Sequence, residues 1–170
     1  MMMSVPMYNK YVDEVISPKL DQEFIKKIRH FEANQDYQNP EYDKLLQEHY
    51  YPKHVMTLPK PHPDVYTNAM NDLNFDYYLA MQGPSEFGII PGVQLEKWDV
   101  TSRLAEIYVK TLFIGSKNDT MDPEHARENS EKVQNGKFHF CPKGGHCCMW
   151  DDEEAYFSGL LEFVYWCDGL

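Results

Sequence analysis

The chain has 170 residues, 42% of them apolar and 25% charged, and a net charge of −11 from 16 basic and 27 acidic side chains. That length supports one domain with a real core, and no uninterrupted apolar run is long enough to span a bilayer. The acidic balance, with no basic cluster larger than Lys26-Lys27-Ile28-Arg29, disfavours nucleic-acid binding, which needs a cationic face for phosphates.

The first residues, Met1 to Glu14, lack the basic and apolar regions of a secretory leader, so a cytoplasmic location is the expectation. Residues 1 to about 100 read as helices joined by loops. Asp21 is placed to cap a helix carrying Leu20, Phe24, Ile28 and Phe31 on one stripe. Asn39-Pro40 opens a second helix with Tyr42, Leu45, Leu46 and His49 inward, because proline suits the first helical position. Leu58 to Pro63, with prolines at 59, 61 and 63, is expected to be extended, and a third helix is expected from Asp64 to about Leu73. Tyr78 to Gly88 reads as an aromatic loop that carries one acid, Glu86.

From Tyr108 the pattern becomes strand 109–115, helix 123–134, strand 137–141 and helix 152–166, the alternation of βαβ units in a parallel sheet. Asp122 before Pro123 is a helix start. The helix at 123–134 offers only Ala126 and Val133 as clear apolar contacts and is expected on the outside. The last helix is expected to bury Tyr156, Leu160, Phe163, Val164 and Cys167, with Asp151 to Glu154 facing its positive N-terminus.

An acid just past the carboxyl end of a strand sits where open α/β sheets place their chemistry, and Asp119 is such an acid. His146 follows the second strand in the same way. Asp and then His on consecutive strand-to-helix loops match the last two members of a Ser, Asp, His triad, in which Asp119 would orient His146; two ordinary loop residues are the plain alternative. No serine lies in G-x-S-x-G. Ser116 shares a turn with Asp119, and Cys147 adjoins His146, so neither is expected to face the base. His139, Cys141, His146, Cys147 and Cys148 form a group of soft ligands, but not at the paired spacing of structural zinc, and buried thiols are the simpler reading. The fourth cysteine is Cys167, and all four are expected to be free thiols.

Several motifs in order, MQGPSEF (81–87), LEKWD (95–99), KNDTMDPEH (117–125), VQNGKF (133–138) and GGHCCMWDD (144–152), resemble the proline iminopeptidases, serine peptidases of the α/β-hydrolase fold. The resemblance runs from about Ser4 to Phe163. It implies the C-terminal part of an α/β-hydrolase fold, with residues 1–104 as a helical cap and 105–170 as the final βαβα of the sheet. It further implies Asp119 as triad acid, His146 as triad base, and Glu86 with Tyr78 as the group that holds the substrate's free amine.

A peptide or amino-acid amide with a free N-terminus would be the substrate, and neither a metal nor an organic cofactor would be needed. Thr120 stands where some members place a second acid, so fewer carboxylates would meet the amine. Cys147-Cys148 and a polar outer helix also depart from the pattern. The nucleophile and oxyanion loop are expected to be absent from this chain. Alone it would then be inactive and would self-associate along an uncovered strand edge, unless an N-terminal half on another chain completes it. The alternatives are an amidase or esterase of the same fold, or a non-catalytic fragment.

Overall fold

Side-chain caps set where the helices begin. In the computed structural model, which describes residues 3–169, Asp21 accepts from the amides of Glu23 and Phe24. Asn39 accepts from Glu41 and Asp122 from Glu124, each immediately before a proline at the first helical position. The helices of the first half are α1 (Val5–Tyr11), α2 (Gln22–Ala33), α3 (Pro40–His49), α4 (Tyr51–His54), α5 (Asp64–Asn71) and α6 (Phe75–Met81). A wide turn at Val12–Ile16 and a tight one at Ser17–Lys19 continue α1 toward α2.

The predicted stripe of α2 is buried along its whole length, and Tyr42 and Leu46 of α3 meet it. Tyr50 and Phe87 complete this first apolar cluster and are fully buried. Residues 58–63 contain no helix, as three prolines in six residues require. The first described residues pair with the stretch before the sheet. Ser4 bridges Asp99, and the amide of Val5 donates to the Trp98 carbonyl at 2.8 Å.

The second half is β1 (Thr111–Ser116), α7 (Pro123–Lys132), β2 (Gly136–Cys141), α8 (Cys148–Asp151) and α9 (Glu153–Asp168). The two strands are parallel, with Phe113 opposite Phe138 and Ser116 opposite Cys141. A second, smaller cluster of Leu104, Phe113 and Val133 lies between this sheet and α7. The fold is therefore α/β, and no described helix is long and apolar enough to cross a membrane.

Three expectations need correction. Tyr78 to Met81 is the end of α6, not loop, because Asn74 caps that helix by accepting from Tyr77 at 3.0 Å. On α9, Val164 and Cys167 point to solvent, and the face turned to β2 centres on Gly159. A Cβ at Gly159 would lie 2.3 Å from the His139 ring, so only glycine permits that approach. Asp151 and Asp152 do not face the start of α9; their carboxylates are taken by backbone amides elsewhere. The inward face of α7 is also polar, with Asn129 and Ser130 buried beside Val133.

Candidate active site

The turn after β1 is short and tied down. Asp119 Oδ1 accepts from the amide of Met121 at 3.1 Å, and the Asp119 amide donates back to the Ser116 carbonyl. The turn after β2 runs Pro142 to His146 and stays close to it, since the Asn118 amide donates to the Gly144 carbonyl at 3.0 Å. Parallel pairing brings both strand ends to one edge, so the two turns meet. His146 Nδ1 donates to Asp119 Oδ1 at 2.9 Å. Asp119 is buried, while the His146 ring remains partly open and lines a cavity of about 1260 Å³.

Burial alone would lower the basicity of His146. The hydrogen bond and charge of Asp119, helped by Glu86, outweigh it and hold the imidazole above its ordinary value. An NMR titration of the chain is thus expected to place His146 above 6.5, the value for an unperturbed histidine. In Asp119→Ala burial would act with little opposition, and the midpoint should fall below that value.

Neither candidate nucleophile of the sequence is usable. Ser116 is fully buried and donates to the Gly145 carbonyl at 2.5 Å, which makes it a brace between the two turns. Cys147 has its thiol pushed up to about 12 by burial and then by the charges of Asp151, Glu86 and Asp119, so it stays protonated. Within the soft-ligand group the Cys141 and Cys148 thiols meet each other, but the rest do not join them. His139 Nε2 donates to the Ala155 carbonyl at 2.7 Å, and among the described residues no three potential ligands converge.

Glu86 and Tyr78 are in direct contact. The Tyr78 hydroxyl donates to Glu86 Oε1 at 2.7 Å, and Gln82 Nε2 donates to the same oxygen at 3.2 Å. Burial, and then the Glu86 charge, push the Tyr78 hydroxyl far above its usual value, so it acts as a donor only. Oε1 is thereby held, and the carboxylate lines the same cavity as His146. Two buried tyrosines not anticipated from the sequence fix the backbone beneath it. Tyr8 and Tyr50 both donate to the Glu86 carbonyl, at 2.7 and 2.9 Å.

Thr120, fully buried, places its hydroxyl 3.4 Å from both Asp119 Oδ1 and His146 Nδ1. It belongs to the acid–base pair, and it is also a hydrogen-bond partner of the Tyr8 hydroxyl, which holds the Glu86 carbonyl. A base held by a buried acid and a braced carboxylate, both lining one cavity, can hold a cationic group at one end of a ligand while moving a proton at the other.

No protein-family model matches the chain. It is 43% identical over 164 residues to the proline iminopeptidase of Flavobacterium johnsoniae, covering 96% of this chain and 54% of that protein. The proline iminopeptidases of Elizabethkingia meningoseptica and Chitinophaga pinensis are 42% and 39% identical, over 96% and 92% of this chain and 54% and 52% of their own lengths. Among solved structures, VinJ superposes with a TM-score of 0.85 at 19% identity. The proline iminopeptidase of Mycobacterium smegmatis does so with 0.78 at 21%; the matches cover 95% and 96% of this chain and 54% of each of those. The fold is that of the corresponding part of an α/β-hydrolase. Along nearly its whole length the chain is a relative of the proline iminopeptidases, and it spans about half the length of the relatives it matches.

Proposed function

We propose that the chain supplies the acid–base pair and the amine anchor of a serine aminopeptidase that removes an N-terminal residue, proline preferred. The observation that carries this reading is that Glu86 and His146 line one cavity, the first braced by Tyr78 and Gln82, the second by Asp119. An aminopeptidase must fix a charged amine at a set distance from the scissile carbonyl. A carboxylate with one oxygen already bound offers the other to that amine.

The serine hydroxyl that attacks the carbonyl is not supplied in a G-x-S-x-G setting by these 170 residues. In the completed site His146 would take the serine proton on Nε2 and return it to the leaving amine. Asp119 would stabilise the imidazolium formed between those steps. The sheet edge agrees with a site completed from outside. The bonds from Thr111 and Lys117 at the two ends of the ladder put the amides of Leu112 and Ile114 on the side away from β2. Alone, this edge is expected to promote self-association.

The test is a chimera joining this chain to the portion of the Flavobacterium johnsoniae relative that it does not match. Turnover of a proline arylamide by the chimera, and none by the chain alone, would support the proposal. Equal turnover of the N-acetylated substrate would instead indicate an amidase or esterase of the same fold. Glu86→Gln in the chimera is expected to raise KM for the free-amine substrate about 10- to 100-fold, the cost of losing a charged hydrogen bond, with the acetylated substrate little affected.

A further inference from the structure

Asp151 ends the short helix α8, five residues after His146, and lies at the junction of the helical half with the His146 turn. Its Oδ1 accepts from the amides of Thr57 and Leu58, at 2.9 and 3.0 Å, and its Oδ2 accepts from the amide of Gly145 at 2.9 Å. Among the described residues no lysine or arginine pairs with it. The carboxylate is held by backbone amides from two places 87 to 88 residues apart in sequence. Beside it the same two segments are tied again. The amides of His146 and Cys147 donate to the carbonyls of His54 and Val55, each at 2.8 Å. His54 Nδ1 donates to the Asn118 carbonyl at 3.0 Å, which reaches the Asp119 turn as well. The approach is close enough that a Cβ on Gly145 would stand 2.9 Å from the His54 carbonyl oxygen.

We propose that Asp151 is a positioning residue for His146. By bridging Gly145 to the 57–58 backbone it presses the His146 turn onto residues 54–58, and this sets the imidazole against Asp119. The ring's own contact with Asp119 fixes only one of its nitrogens. The direction from which the other meets substrate is set by the backbone of the turn, and that backbone is held by bonds to the helical half. The same segment leads through Pro59 and Pro61 to α5 and α6, which carry the Tyr78 end of the cavity. A shift of the helical half is therefore passed to the base.

Asp151→Asn tests the idea in the chain as it stands. An amide has one acceptor oxygen and one donor nitrogen, so on one side of the bridge an N–H would face an N–H. Asp152→Asn is the control. It removes the same charge one residue away, and its remaining carbonyl can still accept the single bond that Asp152 takes, from the Lys143 amide at 2.9 Å. The readouts are the exchange rate of the His146 Nδ1 proton and the His146 titration by NMR. The charged groups facing that ring are Asp119 from the turn after β1 and Glu86 from the loop after α6.

Asp151→Asn is expected to speed proton exchange by about tenfold or more and to move the titration toward that of an ordinary histidine. Asp152→Asn should leave both in place. Should Asp151→Asn fail to fold, Gly145→Ala opens the same contact with Asp151 intact and should give the same changes. Unchanged exchange and titration in the folded variant, or equal changes in Asp152→Asn, would overturn the proposal. The consequence for turnover rests on His146 being the base. These readouts need no turnover, so the two ideas fail separately.

Discussion

Replacing Asp119 with alanine is expected to lower turnover in the completed chimera by about 10³- to 10⁴-fold, mostly in kcat, because the transition state loses both an orienting bond and a counter-charge. Asp119→Asn should cost less, and the geometry says why. Oδ1 accepts from both the Met121 amide and His146 Nδ1, whereas Oδ2 lies 3.5 Å from Ser116 Oγ. An asparagine is thus turned by the Met121 amide so that its carbonyl occupies the Oδ1 place. The imidazole keeps a neutral acceptor and the correct tautomer, and loses only the charge. A charged acceptor is roughly twice as strong as a neutral one, so an intermediate rate is expected.

The same pair has a consequence for stability. His146 is held above the ordinary histidine value in the folded chain, so protonation favours the fold. That contribution is fully present below the unfolded value and is lost as pH rises through the folded one. His54 runs the other way, since burial lowers it, and its contribution falls away in acid. Unfolding followed from about pH 5 to 9 should show the first trend disappear in Asp119→Ala while the second remains.

Much of the architecture was legible because it is written locally. Asp21, Asn39 and Asp122 each cap the helix expected of them, and the apolar run before Gly115 is the strand that pairs in parallel with 136–141. What escaped was either ambiguous in period or distant in sequence. The last helix is apolar on two sides, with Phe157, Leu161 and Tyr165 exposed opposite Tyr156 and Leu160, so periodicity could not choose the buried face. Contact with the His139 ring chose it, through Gly159. Asn74 offered a readable start for α6, but the aromatics that follow it read equally as loop. The acid–base pair could be expected from two turns after two strands. The support of Glu86 by Tyr8 and Tyr50 could not, for those contacts span 78 and 36 residues. The bridge at Asp151 was misread for a related reason, since an acid before a helix satisfies a local rule whether or not distant amides claim it.

That distant support makes Phe87 the position where fold and site are most closely joined. Phe87 is fully buried, with its ring edge-on to Tyr50 at 4.9 Å and to Phe24 at 5.8 Å, and the Arg29 guanidinium 4.7 Å above it. Phe87→Ala is expected to destabilise the chain by about 3–5 kcal/mol, since the cavity is walled by α2 and α3 and cannot easily collapse. The removal also takes away the face over which Arg29 sits. Tyr77→Ala, at an exposed position on α6, should change stability by no more than about 0.5 kcal/mol. Urea unfolding of the two variants checks the contrast. The effect should not end with stability. Tyr50 both packs on Phe87 and donates to the Glu86 carbonyl, so a tyrosine that settles into the cavity must lengthen that bond. In the chimera, assayed where the variant remains folded, Phe87→Ala should therefore weaken preference for the free-amine substrate as Glu86→Gln does. Phe87→Leu, which fills most of the volume, should preserve it. A loss of stability without any loss of that preference would mean that the acid stays in place without the Tyr50 bond.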